Sequence, residues 1–123
     1  MKRLRRKHKN RIKVVPYKRL YRKARAVFAK WIVRRDGNKC FTCGHEGNQA
    51  GHAIHVNAFD FSEELNRCQC PRCNLWLHGA LDIYTKRLIE IYGFDQYEMW
   101  QQQRHEVVKL DRAFLENVIE KYK

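Results

Sequence analysis

Not one aspartate or glutamate occurs before Asp36 in this chain of 123 residues. The same first 35 residues hold sixteen of its 26 Lys and Arg side chains, so the formal net charge of +13 gathers at one end. With no acid nearby to neutralise it, such a segment calls for a polyanionic partner. A phosphate backbone would bind it strongly, in a salt-dependent and sequence-independent way. No amphipathic membrane anchor accompanies the charge, which makes an anionic lipid surface the weaker reading. Also missing is any run of about 18 or more apolar residues, which excludes a membrane-spanning helix. The start "MKRLRRKHKNRIK" has no apolar h-region behind it, so it is not a secretory signal, and a cytoplasmic location is expected. In that reducing setting disulfides are not expected. Five cysteines, an odd count, then suit four thiolate ligands with one left over. No internal repeat or low-complexity linker divides the chain, and its length predicts one domain.

What is present suffices for a modest core, with 44% hydrophobic and 12% aromatic residues. Residues 1–15 read as a flexible basic arm whose like charges repel, and residues 16–123 as a single zinc-stabilised domain. Pro16 suits a first helical turn, and Tyr17, Leu20, Ala24, Val27, Phe28 and Trp31 follow at helical spacing. The other face of this helix offers Lys18, Arg19, Arg22, Lys23 and Arg25 to phosphates, and Asp36-Gly37-Asn38 ends it. Next come a short strand over 49–56, a loop over 57–65, a second strand over 66–70 and a helix from Pro71. Leu81, Tyr84, Leu88 and Ile91 continue helical spacing to Gly93, a C-cap, after which Asp95 caps another short helix. Val107, Leu110, Phe114 and Val118 mark a last amphipathic helix. Trp31, Trp76, Trp100 and Tyr84 fall on or beside the apolar stripes and read as core. The expected class is α+β: a small zinc-stapled ββα finger with an N-terminal basic helix and C-terminal helices.

Cys40-x2-Cys43 and Cys70-x2-Cys73 supply two bidentate thiolate pairs, the arrangement of a closed, structural zinc site. Cys68 would share a strand face with Cys70 and reads as buried; His45 reads as a surface loop residue. That leaves His52, His55, Asn66, Asn74 and His78. A histidine ending one strand, an asparagine opening the next and a polar ligand at the following helix describe a ββα-metal nuclease site. In such a site the histidine takes a proton from water, the asparagine orients it, and the helix residue holds a divalent cation, Mg2+ or Mn2+, beside the scissile phosphate. His55 falls on the opposite face of the strand. Arg67 and Arg72 flank the site as phosphate clamps or as ordinary exposed charges.

The blocks "IVRRDGNKCFTCG", "QAGHAIHVNAFDF", "ELNRCQCPRCN" and "YTKRLIEIYG" resemble, in the same order, the signature blocks of the phage NinG/Rap recombination proteins. The resemblance runs from about residue 20 to residue 100. It implies a zinc-containing His-Me finger (HNH-like) endonuclease acting on D-loops and Holliday junctions in a bacterial cytoplasm. By the resemblance, His52 in "AGH" matches the general base, Asn66 in "ELN" the middle asparagine, and Asn74 the catalytic metal ligand. Two positions depart from the pattern: Gly51 stands where many such enzymes carry a second ligand, and Ala80 where the family carries an asparagine. His78, four residues after Asn74, would share its helical face and serve as replacement ligand. Symmetric cutting of a four-way junction needs two active sites, so a homodimer is expected. The competing reading is a zinc-finger nucleic-acid-binding or assembly protein without catalysis.

Overall fold

The computed structural model describes residues 14–123; the expected basic arm, apart from Val14 and Val15, lies outside the described residues. In chain order the elements are α1 (Tyr17–Arg35), β1 (Gln49–His52), a 3-10 turn (Asn57–Phe59), β2 (Asn66–Gln69) and a π-helical turn (Arg72–Trp76). They continue with α2 (Leu81–Tyr92), α3 (Phe94–Gln103) and α4 (Arg112–Tyr122). This is a mixed architecture of helices around one two-stranded sheet.

α1 begins where Pro16, at φ −57°, presents its carbonyl to the Arg19 and Leu20 N–H groups at 3.0 and 3.1 Å. Leu20, Ala24, Phe28 and Ile32, each four residues on from the last, form its buried stripe and pack on Leu115, Val118 and Tyr122 of α4. The Phe28 and Trp31 rings meet Tyr122 edge-on, with centroids 4.9 and 4.8 Å away. Of the stripe expected for α4, Val118 is buried as expected, but its start is out of register. Val107 is 100% exposed and Phe114 is also exposed, because the helix starts only at Arg112. There the Asp111 carboxylate accepts the Phe114 N–H at 2.9 Å, an N-cap that turns Leu115 inward.

β1 and β2 pair antiparallel, with Gln49 opposite Gln69, Ala50 opposite Cys68, Gly51 opposite Arg67 and His52 opposite Asn66. The strands are shorter than expected: β1 stops at His52. Beyond it the chain turns so that Ile54, Phe59 and Leu65 join Tyr84, Leu88 and Trp100 in a second core against α2 and α3. The buried Tyr84 hydroxyl ties α2 to the sheet by donating to the Gly51 carbonyl at 2.8 Å.

The helix expected from Pro71 is a single π-turn, closed by the Leu77 N–H on the Arg72 carbonyl at 2.8 Å. His78, Gly79 and Ala80 then take φ values of 51°, 90° and 47°, which no continuing helix could accommodate. For the two non-glycine residues that conformation costs roughly 1–2 kcal/mol each. The Gln69 amide holds the turn by donating to the Gly79 carbonyl at 2.8 Å. As a result, Trp76, expected in the core, is exposed, and so are its neighbours Leu75 and Leu77.

Candidate functional site

Cys40 and Cys43 lie on a tight turn in which Gly44, at φ 82°, donates to the Cys40 carbonyl at 2.9 Å. Cys70 and Cys73 bracket the entry to the π-turn. All four Sγ atoms come within 4.8 Å of one another, and Cys43 and Cys70 are 3.6 Å apart. Sulfurs around a tetrahedral zinc sit about 3.8 Å apart when the Zn–S bonds are about 2.3 Å, so this cage fits the ion. The Cys73 N–H points at Cys70 Sγ at 3.5 Å, as backbone donors do at a thiolate knuckle. Burial pushes the Cys73 thiol up to about 12, so zinc uptake at neutral pH has to displace a proton there. Four thiols therefore stand ready for a structural metal such as zinc, stapling the turn to the end of the sheet. Cys68 is buried outside this group; burial first, and the nearby Asp36 charge, push its thiol up to about 11, and it is inert. His45 is exposed.

At the other end of the hairpin, the His52 imidazole lies against a partner that the sequence reading missed. Its Nε2 is 3.7 Å from an oxygen of Asp60, whose other oxygen accepts from the Tyr21 hydroxyl. The backbone carbonyl of Asp60 accepts from the Arg25 guanidinium. Burial, then the Arg25 and His55 charges, lower the His52 pKa to about 4 against the opposing pull of Asp60. The ring is therefore neutral at pH 7 and able to accept a proton. His55 was expected on the opposite face of the strand. Because β1 has already ended, its ring instead comes back to 5.2 Å from that of His52.

Asn66, fully buried, does not bond to His52. Its amide donates to the carbonyls of Phe59 and Ser62 at 3.0 and 2.8 Å, pinning the loop that carries Asp60. Arg35 braces the same region through the carbonyls of Glu63 and Asn66 at 2.5 and 2.8 Å. These two residues hold the histidine–carboxylate pair together from outside it.

Asn74, half-buried on the π-turn, donates to Gln49 Oε1 at 2.9 Å. Its Oδ1 faces β1 at Gly51, and there the reason for glycine is visible. A Cβ at position 51 would stand 1.8 Å from Gln69 Oε1 and 3.1 Å from Asn74 Oδ1, so the missing ligand position is already filled by an amide. Gln69 is itself fixed by donation to Thr42 Oγ1 at 3.1 Å, and that hydroxyl lies 3.4 Å from Cys40 Sγ. Gly51→Ala should therefore cost about 2–3 kcal/mol, since the alanine displaces a buried, doubly bonded amide. Thermal melting of the zinc-loaded protein checks this, and an unchanged melt would mean that Gln69 can move aside.

The helical face expected to join Asn74 to His78 does not form. The π-turn ends at Trp76, and His78 is exposed on a left-handed residue beyond it. Asn74 is left as the neutral oxygen donor, which suits a hard cation that keeps most of its water.

The basic residues divide in two. Lys18, Arg19, Arg22, Lys23 and Lys30 stand exposed on the face of α1 away from its buried stripe, and Arg72 is exposed on the π-turn. Arg25 and Arg67 turn inward. Arg25 stacks over Phe61 at 5.5 Å while bonding to the Asp60 carbonyl; Arg67 lies between Phe41 and Tyr92 and donates to the Glu64 carbonyl at 3.2 Å. Neither is free to grip a phosphate as drawn from the sequence.

Helices around one two-stranded sheet, with four cysteines close enough to hold a zinc, define a small mixed α and β protein with a candidate metal site. More narrowly, the chain belongs to the Bacteriophage Lambda NinG protein family, whose family model matches residues 1–123. Comparison with curated proteins and with solved structures finds no match. Among the described residues, no helix is long and apolar enough to cross a membrane.

Proposed function

We propose that this protein is a structure-selective endonuclease that hydrolyses phosphodiesters in branched DNA recombination intermediates such as D-loops and Holliday junctions. The observation that carries this reading is the His52–Asp60 pair at the loop end of the hairpin, with His52 opposite Asn66; Asn74 meets the other face of β1, at Gln49 and Gly51. His52 accepts a proton from the attacking water. With Nε2 turned to Asp60, Nδ1 is the nitrogen that meets the water, and the carboxylate stabilises the imidazolium that forms. Water oxygen bonds to phosphorus as the bond to the 3′-oxygen breaks. Asn66 keeps the acceptor and its carboxylate in register by fixing the loop. Asn74 Oδ1 is the residue atom that would hold a Mg2+ or Mn2+, and the cation would supply charge neutralisation at the departing oxygen. The exposed Arg19, Arg22 and Lys23 of α1, with Arg72, hold the phosphates.

In this reading residues 16–123 act as one zinc-stabilised His-Me finger domain, residues 1–15 are an arm laid along the DNA, and a homodimer cuts the two strands of a four-way junction in a host bacterial cytoplasm. The test is cleavage of a synthetic four-way junction against matched linear duplex in Mg2+, in Mn2+ and in neither, with the zinc retained. Cutting confined to the junction and to the added cation is expected. Tight binding with no cutting in either metal would instead establish a non-catalytic zinc-finger binding or assembly protein. The specific point in favour of that second reading is Gly51, which brings no ligand of its own.

A further inference from the structure

Trp76 is 79% exposed, with Leu75 at 59% and Leu77 at 46% beside it, at the tip of the π-turn. Water is a poor environment for so much apolar surface, yet the chain builds a rigid mount for it. Cys70 and Cys73 hold the base of the turn, three consecutive left-handed residues close it, and the buried Gln69 amide clamps the Gly79 carbonyl. Strained backbone kept in place by its surroundings is a mark of functional segments.

The chemistry around the tip indicates what covers it. No acidic residue occurs between Glu64 and Asp82, and Arg72, in the same turn, is exposed. A second copy of this chain is a poor occupant, because a stable protein interface needs about 800 Å² from each partner and this tip offers three side chains. A nucleotide matches better: a flat apolar face for the indole and a phosphate for Arg72. Trp76 also shares the π-turn with Asn74. We infer that Leu75, Trp76 and Leu77 form a stacking platform for an unpaired nucleobase, so that the protein recognises branched or single-stranded DNA by a base splayed from its stack. The inference rests on the DNA reading above but not on cleavage.

The test is binding, read by anisotropy on a labelled four-way junction, an oligothymidylate and a matched linear duplex, for wild type, Trp76→Ala and Trp76→Phe. Zinc content and melting temperature confirm that each variant folds. Trp76→Ala is expected to weaken junction and single-strand binding on the order of ten-fold while leaving duplex binding unchanged, and Trp76→Phe to restore most of the loss. Oligothymidylate should also quench tryptophan emission in the wild type more than in Trp76→Ala. Equal losses on all three DNAs, or none, would overturn the platform. So would a shift from dimer to monomer on sedimentation with DNA binding intact, which would mark the tip as a contact between copies. A wild type that shows this Trp76 dependence but cuts nothing would sink the nuclease reading alone.

Discussion

Cys70→Ser is expected to abolish stoichiometric zinc and, with it, the cooperative folding of residues 38–80. The sheet consists of two strands of four residues each, and a hairpin of that size is marginal in water without help. What braces it is the thiol cage joining Cys40 and Cys43 to Cys70 and Cys73, with Thr42 and Gln69 extending the brace to the left-handed run at 78–80. Structural zinc contributes roughly 10–16 kcal/mol of apparent binding free energy, as much as or more than the roughly 5–15 kcal/mol net stability of an ordinary domain. Losing one thiolate removes much of that. The Phe28–Tyr122 packing between α1 and α4 involves no cysteine, so helical signal should outlast the sheet and the melt should broaden into separate steps. Zinc release on thiol modification should give one ion per chain in the wild type and none in the serine variant. A serine variant that melts within a few degrees of wild type would show that the cage does not hold the fold.

The zinc pairs could be read from sequence because each is local: two cysteines three positions apart on a tight turn need no tertiary information. α1 could be read for the same reason, since Leu20, Ala24, Phe28 and Ile32 repeat every turn. The order of strand, loop and strand could be read as well, but the register that sets His52 opposite Asn66 arises because β1 stops at His52. What escaped the sequence depends on where the chain goes afterwards. Asp60 is an unremarkable acid in a loop until Asn66 pins that loop beneath His52. Arg25 looked like one more exposed charge on a basic face, yet α1 runs past the loop and Arg25 bonds to it. Non-glycine residues at positive φ carry little sequence signal, so the break at His78 went unseen and Trp76 was assigned to the core because it falls beside an apolar stripe. The α4 register did leave a clue. An aspartate three residues before a helical N–H is an N-cap pattern, and weighing Asp111 above the apolar spacing would have placed Leu115 inside.

His52→Ala is expected to lower junction cleavage by about 10²–10⁴-fold while leaving junction affinity unchanged. Affinity should survive because the exposed cations lie on α1 and at Arg72, and His52 carries no charge at pH 7 with its pKa at about 4. The pH dependence makes the assignment sharper. A base with a depressed pKa stays active down the acid side, so the acid limb of kcat/KM for the free enzyme should fall near pH 4 rather than near the ordinary histidine value of about 6.5. Asp60 is the group that favours protonation of His52, so Asp60→Asn should move that limb lower still and weaken the base. Stability follows the same pair of values. Between about pH 6.5 and about pH 4 the unfolded chain takes up a proton at His52 that the folded chain refuses. The native state is thus fully favoured above the unfolded value and loses stability as pH falls through this window. In His52→Ala that contribution to the slope should vanish. The readout is therefore paired: single-turnover cleavage from pH 4 to 8, and denaturant midpoints over the same range. A variant that still cuts at wild-type rate would remove His52 from the chemistry. An acid limb near 6.5 in the wild type would mean that water reaches the ring and that Asp60 governs it more than burial does.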